Sequence, residues 1–189
     1  MSTITRTWLA FAALGTGMIH LALVISSPLP IAMVLTVFGV VEVAWGVMTF
    51  IRERIAAPRL VLAGALLPIG AWGLLVAAAA AFDNPELASS VGLTAMGIAA
   101  ILELFVAGVI AVKLRRGTDF SAPSRMPRSA AVYLGGLMVG GVLVAGLTTP
   151  ALAATEAGIY AQPHGEHSDT FQPKIDEEII LNLPDHHTK

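Results

Sequence analysis

The sequence predicts an all-α integral membrane protein with five transmembrane helices and an extended C-terminal tail. The chain has 189 residues, of which 56% are hydrophobic and only 13% are charged. A soluble domain carries about 25% charged residues, so this deficit indicates a lipid environment. The apolar residues come in continuous blocks rather than at an amphipathic spacing. Cysteine is absent, which excludes disulfides and thiolate metal sites within the chain.

Five stretches of the chain are nearly free of charge and long enough to cross a bilayer. A helix needs about 20 apolar residues to span a hydrocarbon core of ~30 Å. Only helices and closed barrels satisfy their backbone groups in lipid, and no stretch alternates as a barrel strand does. A short turn separates the first two stretches, which argues against a removed signal peptide. The five predicted spans are Thr7–Ser27, Pro30–Ile51, Leu60–Phe82, Ser90–Val112 and Ser129–Ala154.

Basic residues indicate which ends of the spans face the cytoplasm. Lys and Arg concentrate in cytoplasmic loops, and every basic residue outside the tail falls on one side of the predicted spans. The other side carries an uncharged turn, an acidic loop and the acidic tail. We therefore expect a bacterial plasma (inner) membrane protein with its N-terminus inside and its tail outside. The basic residues on the expected cytoplasmic side are Arg6, Arg52, Arg54, Arg59, Lys113, Arg115, Arg116, Arg125 and Arg128.

Two acidic residues inside the spans suggest an internal repeat. Glu42 lies ten residues before Arg52, and Glu103 lies ten residues before Lys113. At about 1.5 Å per residue, both carboxylates are expected roughly 15 Å from the cytoplasmic edge. Duplication of a two-helix hairpin, followed by an added fifth span, explains this match. Coincidence between two independent helices is the alternative.

The ionisable residues inside the predicted spans are His20, Glu42 and Glu103. Such residues cost roughly 2.5–3.5 kcal/mol each on insertion scales, so they are candidates for function. A histidine beside two acids can relay protons, bind a cation, or hold a quinone or a haem-like ligand. Alternatively, His20 and Glu42 bond to each other or to a partner protein and only hold helices together.

Small residues in the fifth span predict close helix packing. The segment contains Gly136-x-x-x-Gly140 followed by Gly141-x-x-x-Ala145. Small residues at this spacing let another helix approach closely, either within the chain or in another protein.

The tail, residues 154–189, forms a second region after the membrane domain of residues 1–153. It contains two groups of histidines beside acids, His164 with His167 and His186 with His187. Imidazole suits copper and zinc, so these four residues are candidate metal ligands. Their spacing matches no zinc-finger or zincin pattern, and an acidic solvated tail is the alternative. The triplet Ala151–Ala153 also permits cleavage after Ala153, although we interpret it as the outer end of the fifth span.

Three segments resemble small polytopic membrane proteins of actinobacteria: "GTGMIHLAL" in span one, "FGVVEVAWG" in span two and "ALAATEAGIYAQPHGEH" at the outer end. Proteins of that type include accessory subunits of the cytochrome bc–cytochrome oxidase supercomplex. The resemblance implies a role beside redox enzymes rather than a redox role of its own. It carries no catalytic motif and no site residue.

These observations lead to three functional hypotheses. The first is a non-catalytic accessory subunit of a larger membrane complex, such as a respiratory complex, that contributes to its assembly or stability and has other membrane subunits and lipids as partners. The second is an extracytoplasmic protein that binds copper or zinc on its tail. The third is a small proton-coupled transporter. The sequence contains no nucleotide-binding glycine loop, no Ser–His–Asp pattern and no nucleic-acid patch, so we expect neither an enzyme nor a nucleic-acid partner.

Overall fold

The computed structural model describes residues 1–52, 55, 57–84, 92–120, 122 and 129–160. This part of the chain is helical and contains no β-strand. The all-α prediction is therefore confirmed. The helices are α1 (Thr3–Leu23), α2 (Leu29–Ile51), α3 (Pro58–Ala81), α4 (Leu93–Arg115), α5 (Ala130–Ala153) and the short α6 (Glu156–Ile159).

Four helices, α2 to α5, are long and apolar enough to cross a membrane. They correspond to the second to fifth predicted spans and are consistent with a multi-pass membrane protein. The first predicted span is the 21-residue helix α1, which is not among those four. It includes four threonines, an arginine and a histidine, so it is more polar than the others.

Helix α1 occupies the centre of the described bundle, which explains its composition. It packs against α2, α4 and α5, and it also contacts α6, whereas α3 packs mainly against α4. Among the described residues, all but one of the largest fully buried side chains belong to α1: Leu9, Thr16, Ile19, His20 and Leu23. A helix surrounded by other helices does not need an apolar surface for lipid, so it accommodates polar residues that find partners inside the protein.

The contact between α1 and α2 is close because glycines line it. A Cβ atom added to Gly17 would lie 2.8 Å from the carbonyl oxygen of Gly39 and 3.0 Å from the backbone nitrogen of Val43. A Cβ atom added to Gly39 would lie 2.9 Å from the carbonyl oxygen of Gly17. A hydrogen bond also joins the start of α1 to the end of α2. The guanidinium of Arg6 donates to the carbonyl oxygen of Arg52, the residue that follows α2.

The contact between α1 and α5 uses part of the predicted small-residue pattern. The indole Nε1 of Trp8 donates to the carbonyl oxygen of Gly136 at 2.8 Å. A Cβ atom at Gly140 would meet the same indole at 2.5 Å, so Trp8 fills the space that this glycine leaves. A Cβ atom at Gly141 would meet nothing within 4 Å, and Ala145 is exposed. The second half of the pattern therefore faces outward from the described bundle.

We predict that Gly17→Ala destabilises the protein by about 1–3 kcal/mol, the usual cost of overpacking a filled interior. The added methyl group meets backbone atoms of α2, which cannot rotate away as a flexible side chain can. Titration with SDS in mixed micelles measures the free energy of unfolding. The matched control is Gly97→Ala in α4, where the methyl group meets nothing within 4 Å. Equal stability of the two variants would contradict the close α1–α2 contact.

Candidate functional site

The three ionisable residues predicted inside the membrane converge at one place in the bundle. His20 comes from the last turn of α1, Glu42 from the middle of α2 and Glu103 from the middle of α4. Each offers one nitrogen or oxygen atom, and these three atoms lie within 4.8 Å of one another. We call these residues the acid–histidine cluster.

A hydrogen bond joins the two members of the cluster that belong to α1 and α2. His20 Nδ1 and Glu42 Oε2 are hydrogen-bonded at 2.8 Å. His20 is fully buried, and the side chain of Glu42 is 15% exposed. The bond holds the imidazole ring in place, and the ring also lies beside Phe38 with 6.2 Å between ring centroids.

Glu103 lies beside the same imidazole and close to Glu42. Its side chain is 3% exposed, and its Oε1 is 3.8 Å from His20 Nε2, too far for a hydrogen bond. Both of its oxygens and His20 Nε2 are buried without a hydrogen-bond partner among the described residues. An ionised carboxylate is costly in such a place unless a proton or a cation neutralises it. The free atoms therefore indicate a site for a positively charged species.

A cavity of about 370 Å³ reaches the cluster between α1, α2, α3 and α4. Glu42, Glu103 and Thr16 are polar lining residues, Trp45 adds an indole ring with one N–H group, and the other lining residues are apolar. The hydroxyl of Thr16 already donates to the carbonyl oxygen of Ala12 at 2.9 Å, as is common for threonine in helices. The two carboxylates are therefore the acidic groups that the cavity offers to a ligand.

The cavity exists because α2 and α3 stand apart. Helix α2 packs against α1, helix α3 packs against α4, and α2 and α3 make at most marginal contact. Residues at the edge of the cavity are more than half exposed on both helices: Val37 and Val41 on α2, and Leu60 and Leu67 on α3. The cavity is therefore partly open toward the side of the bundle, where lipid would lie in a membrane.

The geometry also accommodates a metal ion between His20 and Glu103. Two metal–ligand bonds of about 2.1 Å span up to about 4.2 Å, so an ion fits between atoms 3.8 Å apart. Glu42 would then orient the imidazole from behind, as carboxylates do at many histidine–metal sites. A proton, a metal ion and an organic cation are thus the three kinds of positive species that suit the cluster.

Searches of protein-family models, curated proteins and solved structures find no match for this chain. The class of protein is accordingly defined by the fold and the site: apolar helices consistent with a multi-pass membrane protein, with an ionisable cluster buried between them.

The other predicted site residues are placed differently from the cluster. The candidate metal ligands His164, His167, His186 and His187 lie outside the described residues, so copper or zinc on the tail stays a prediction. Gly136 and Gly140 contact α1, away from the cavity.

Two aromatic residues that line the cavity, Phe38 and Trp45, were not among the site residues predicted from the sequence. A signal for them was present, because they lie four residues before and three residues after Glu42 and therefore share its helix face.

We predict opposite effects on stability when each acid is replaced by methionine, an apolar side chain of similar length. Glu103→Met removes a buried group without a hydrogen-bond partner and is expected to raise the free energy of unfolding by about 1–3 kcal/mol. Glu42→Met leaves His20 Nδ1 without its hydrogen-bond partner and is expected to lower the free energy of unfolding by about 1–3 kcal/mol. The same SDS titration measures both variants. A loss of stability in Glu103→Met would show that Glu103 has a stabilising partner.

Proposed function

We propose that this protein is a small membrane carrier that binds a cation at the acid–histidine cluster and releases protons in exchange. The observation that carries this proposal is Glu103, a buried carboxyl group without a hydrogen-bond partner at the end of a laterally open cavity. Ionisable residues inside membrane proteins commonly mark the paths of ions and protons.

The charges of the cluster support exchange rather than simple binding. Glu42 and Glu103 lie close together in a site of low dielectric constant, where two ionised carboxylates repel each other strongly. At least one positive charge is needed to offset the repulsion between the two carboxylates. A proton or another cation can supply this charge. Entry of one cation charge then favours the departure of one proton, which couples the two movements.

The carrier would lie in the plasma membrane of a bacterium. It would cross that membrane five times, because α1 would span it in addition to α2, α3, α4 and α5. Its N-terminus would face the cytoplasm and its tail the outside, because the basic residues outside the tail cluster at one set of predicted helix ends. Since the chain has no native cysteine, labelling of single introduced cysteines from each side of the membrane tests this orientation.

Labelling with dicyclohexylcarbodiimide tests the carrier proposal. This apolar reagent reacts with protonated carboxyl groups that are accessible from lipid and leaves a mass adduct that peptide mass spectrometry locates. We expect adduct formation at Glu103 in membranes near neutral pH and none at that position in Glu103→Gln. A water-soluble carbodiimide should instead label Asp83, which is exposed. If Glu103 stays unlabelled under conditions in which Asp83 reacts, the exchange proposal fails.

A second candidate function is that of an accessory subunit in a larger membrane complex, such as a respiratory complex. The observation that favours it is the surface of α3 and α5. In the most apolar 18-residue stretch of each helix, only 11% of α3 and 6% of α5 is buried within the chain. Lipid covers such surfaces, but so does a partner subunit, and Gly141 and Ala145 would let a partner helix approach α5 closely.

We expect a subunit to co-purify with its partner complex in mild detergent. Replacing Gly141 with leucine should weaken that association, because the larger side chain occupies the outer face of α5. The matched control is Gly97→Leu, a change on another helix at a glycine that also has open space. A chain that always elutes alone, at its own mass, would exclude the subunit role and leave the carrier proposal intact.

A further inference from the structure

We infer that the ligand of the cavity is a lipophilic organic cation that enters sideways from the bilayer between α2 and α3. This inference rests on the proposed carrier function and names the class of substrate for the same site. The steps that lead to it concern the size of the cavity, the chemistry of its wall and the direction of its opening.

The size of the cavity favours an organic molecule over a bare ion. A volume of about 370 Å³ lies within the range of about 300–1,000 Å³ that small-molecule sites occupy. A single ion or water molecule needs only about 30 Å³. A metal ion held between His20 and Glu103 would leave most of this volume unused.

The wall of the cavity matches a molecule with an apolar body and one positive charge. Most lining residues are aliphatic or aromatic, while Glu42 and Glu103 place two carboxylates at one end. A hydrated metal ion gains little from apolar walls, whereas an organic cation transfers apolar surface out of water into them. Phe38 and Trp45 lie one turn on either side of Glu42, where their rings can receive a cationic group.

The same wall argues against a lipid chain or an anion as the proper occupant. A neutral acyl chain would leave the carboxylates of the cluster without a partner in an apolar site. A phosphate or another anion would be repelled by Glu42 and Glu103. The described residues that line the cavity include no Lys or Arg to offset that repulsion.

The opening of the cavity determines the route. Its rim is formed by apolar residues of α2 and α3 that are more than half exposed: Val37, Val41, Leu60 and Leu67. A lipophilic cation concentrates in the bilayer and meets this rim directly. Once inside, its charged group pairs with the carboxylates and one proton leaves the cluster, so that the charge balances.

Binding of tetraphenylphosphonium to the full chain in lipid nanodiscs tests the inference. Equilibrium dialysis, corrected for empty nanodiscs, should give one bound cation per chain. Tetraphenylborate, which has the same shape and the opposite charge, should not bind above background. Tetramethylammonium, which lacks the apolar body, should bind at least about 10-fold more weakly. Tetraphenylphosphonium should also protect Glu103 from dicyclohexylcarbodiimide.

Two kinds of variant separate the charge of the site from its shape. Glu42→Gln and Glu103→Gln should each weaken tetraphenylphosphonium binding by about 10-fold or more, because a buried charge partner is lost. Gly64→Leu adds a side chain to the cavity wall at a place with nothing within 4 Å, so it should weaken binding without loss of folding. The matched control is Gly70→Leu on the same helix, which also has open space but does not line the cavity. It should bind as the unchanged chain does.

The other outcomes distinguish this inference from the proposed function. Equal binding of tetraphenylphosphonium and tetraphenylborate would overturn the cation specificity. Stoichiometric Zn²⁺ binding that requires His20, without tetraphenylphosphonium binding, would overturn the organic class and leave cation exchange standing. Absence of binding while Glu103 still reacts with dicyclohexylcarbodiimide would overturn this inference alone. Absence of both would overturn the carrier function as well.

Discussion

The close contact of α1 with α2 is the constraint on which the rest of the structure depends. Gly17 and Gly39 bring the two backbones so near that a single added methyl group would touch a carbonyl oxygen. At this separation the side chains of His20 and Glu42 reach each other and form a hydrogen bond of 2.8 Å. Helix α1, held in this position, is also the surface against which α4 and α5 pack. The site and the bundle therefore depend on the same contact.

Glu103 lies beside a hydrogen-bonded pair, His20 and Glu42, but has no hydrogen-bond partner itself among the described residues. The bond between His20 and Glu42 satisfies one ring nitrogen of His20, while His20 Nε2 and both oxygens of Glu103 have no hydrogen-bond partner in the described part of the chain. A purely structural pair would gain nothing from a third ionisable group nearby, because burying that group costs free energy. A buried ionisable group of this kind is typical of sites where function opposes stability. For this reason we assign Glu103, rather than the His20–Glu42 pair, the central role in binding.

The gap between α2 and α3 is as important for the site as the contacts between the packed helices. Each of these helices packs against a different neighbour, so the space between them is filled neither by side chains nor by a third helix of the described bundle. The carboxylates consequently lie at the end of an apolar cleft that is open to the side. If α2 and α3 cross a membrane, as their length and composition allow, this cleft opens toward lipid.

The sequence by itself determined the helical class, the approximate limits of the apolar helices and the identity of the buried ionisable residues. Composition and block length suffice for these features, because the length of an apolar helix and the cost of a buried charge are local properties. The sequence did not determine that α1 is the central helix. The threonines and the histidine of α1 make it look more polar than the other helices, and only their neighbours in the bundle explain them. Only the tertiary structure decided that His20 bonds to Glu42, that Glu103 has no hydrogen-bond partner among the described residues, and that Phe38 and Trp45 line a cavity. Those facts depend on how closely the helices approach one another. That distance is set by Gly17 and Gly39 where α1 meets α2, and by the absence of packing where α2 passes α3.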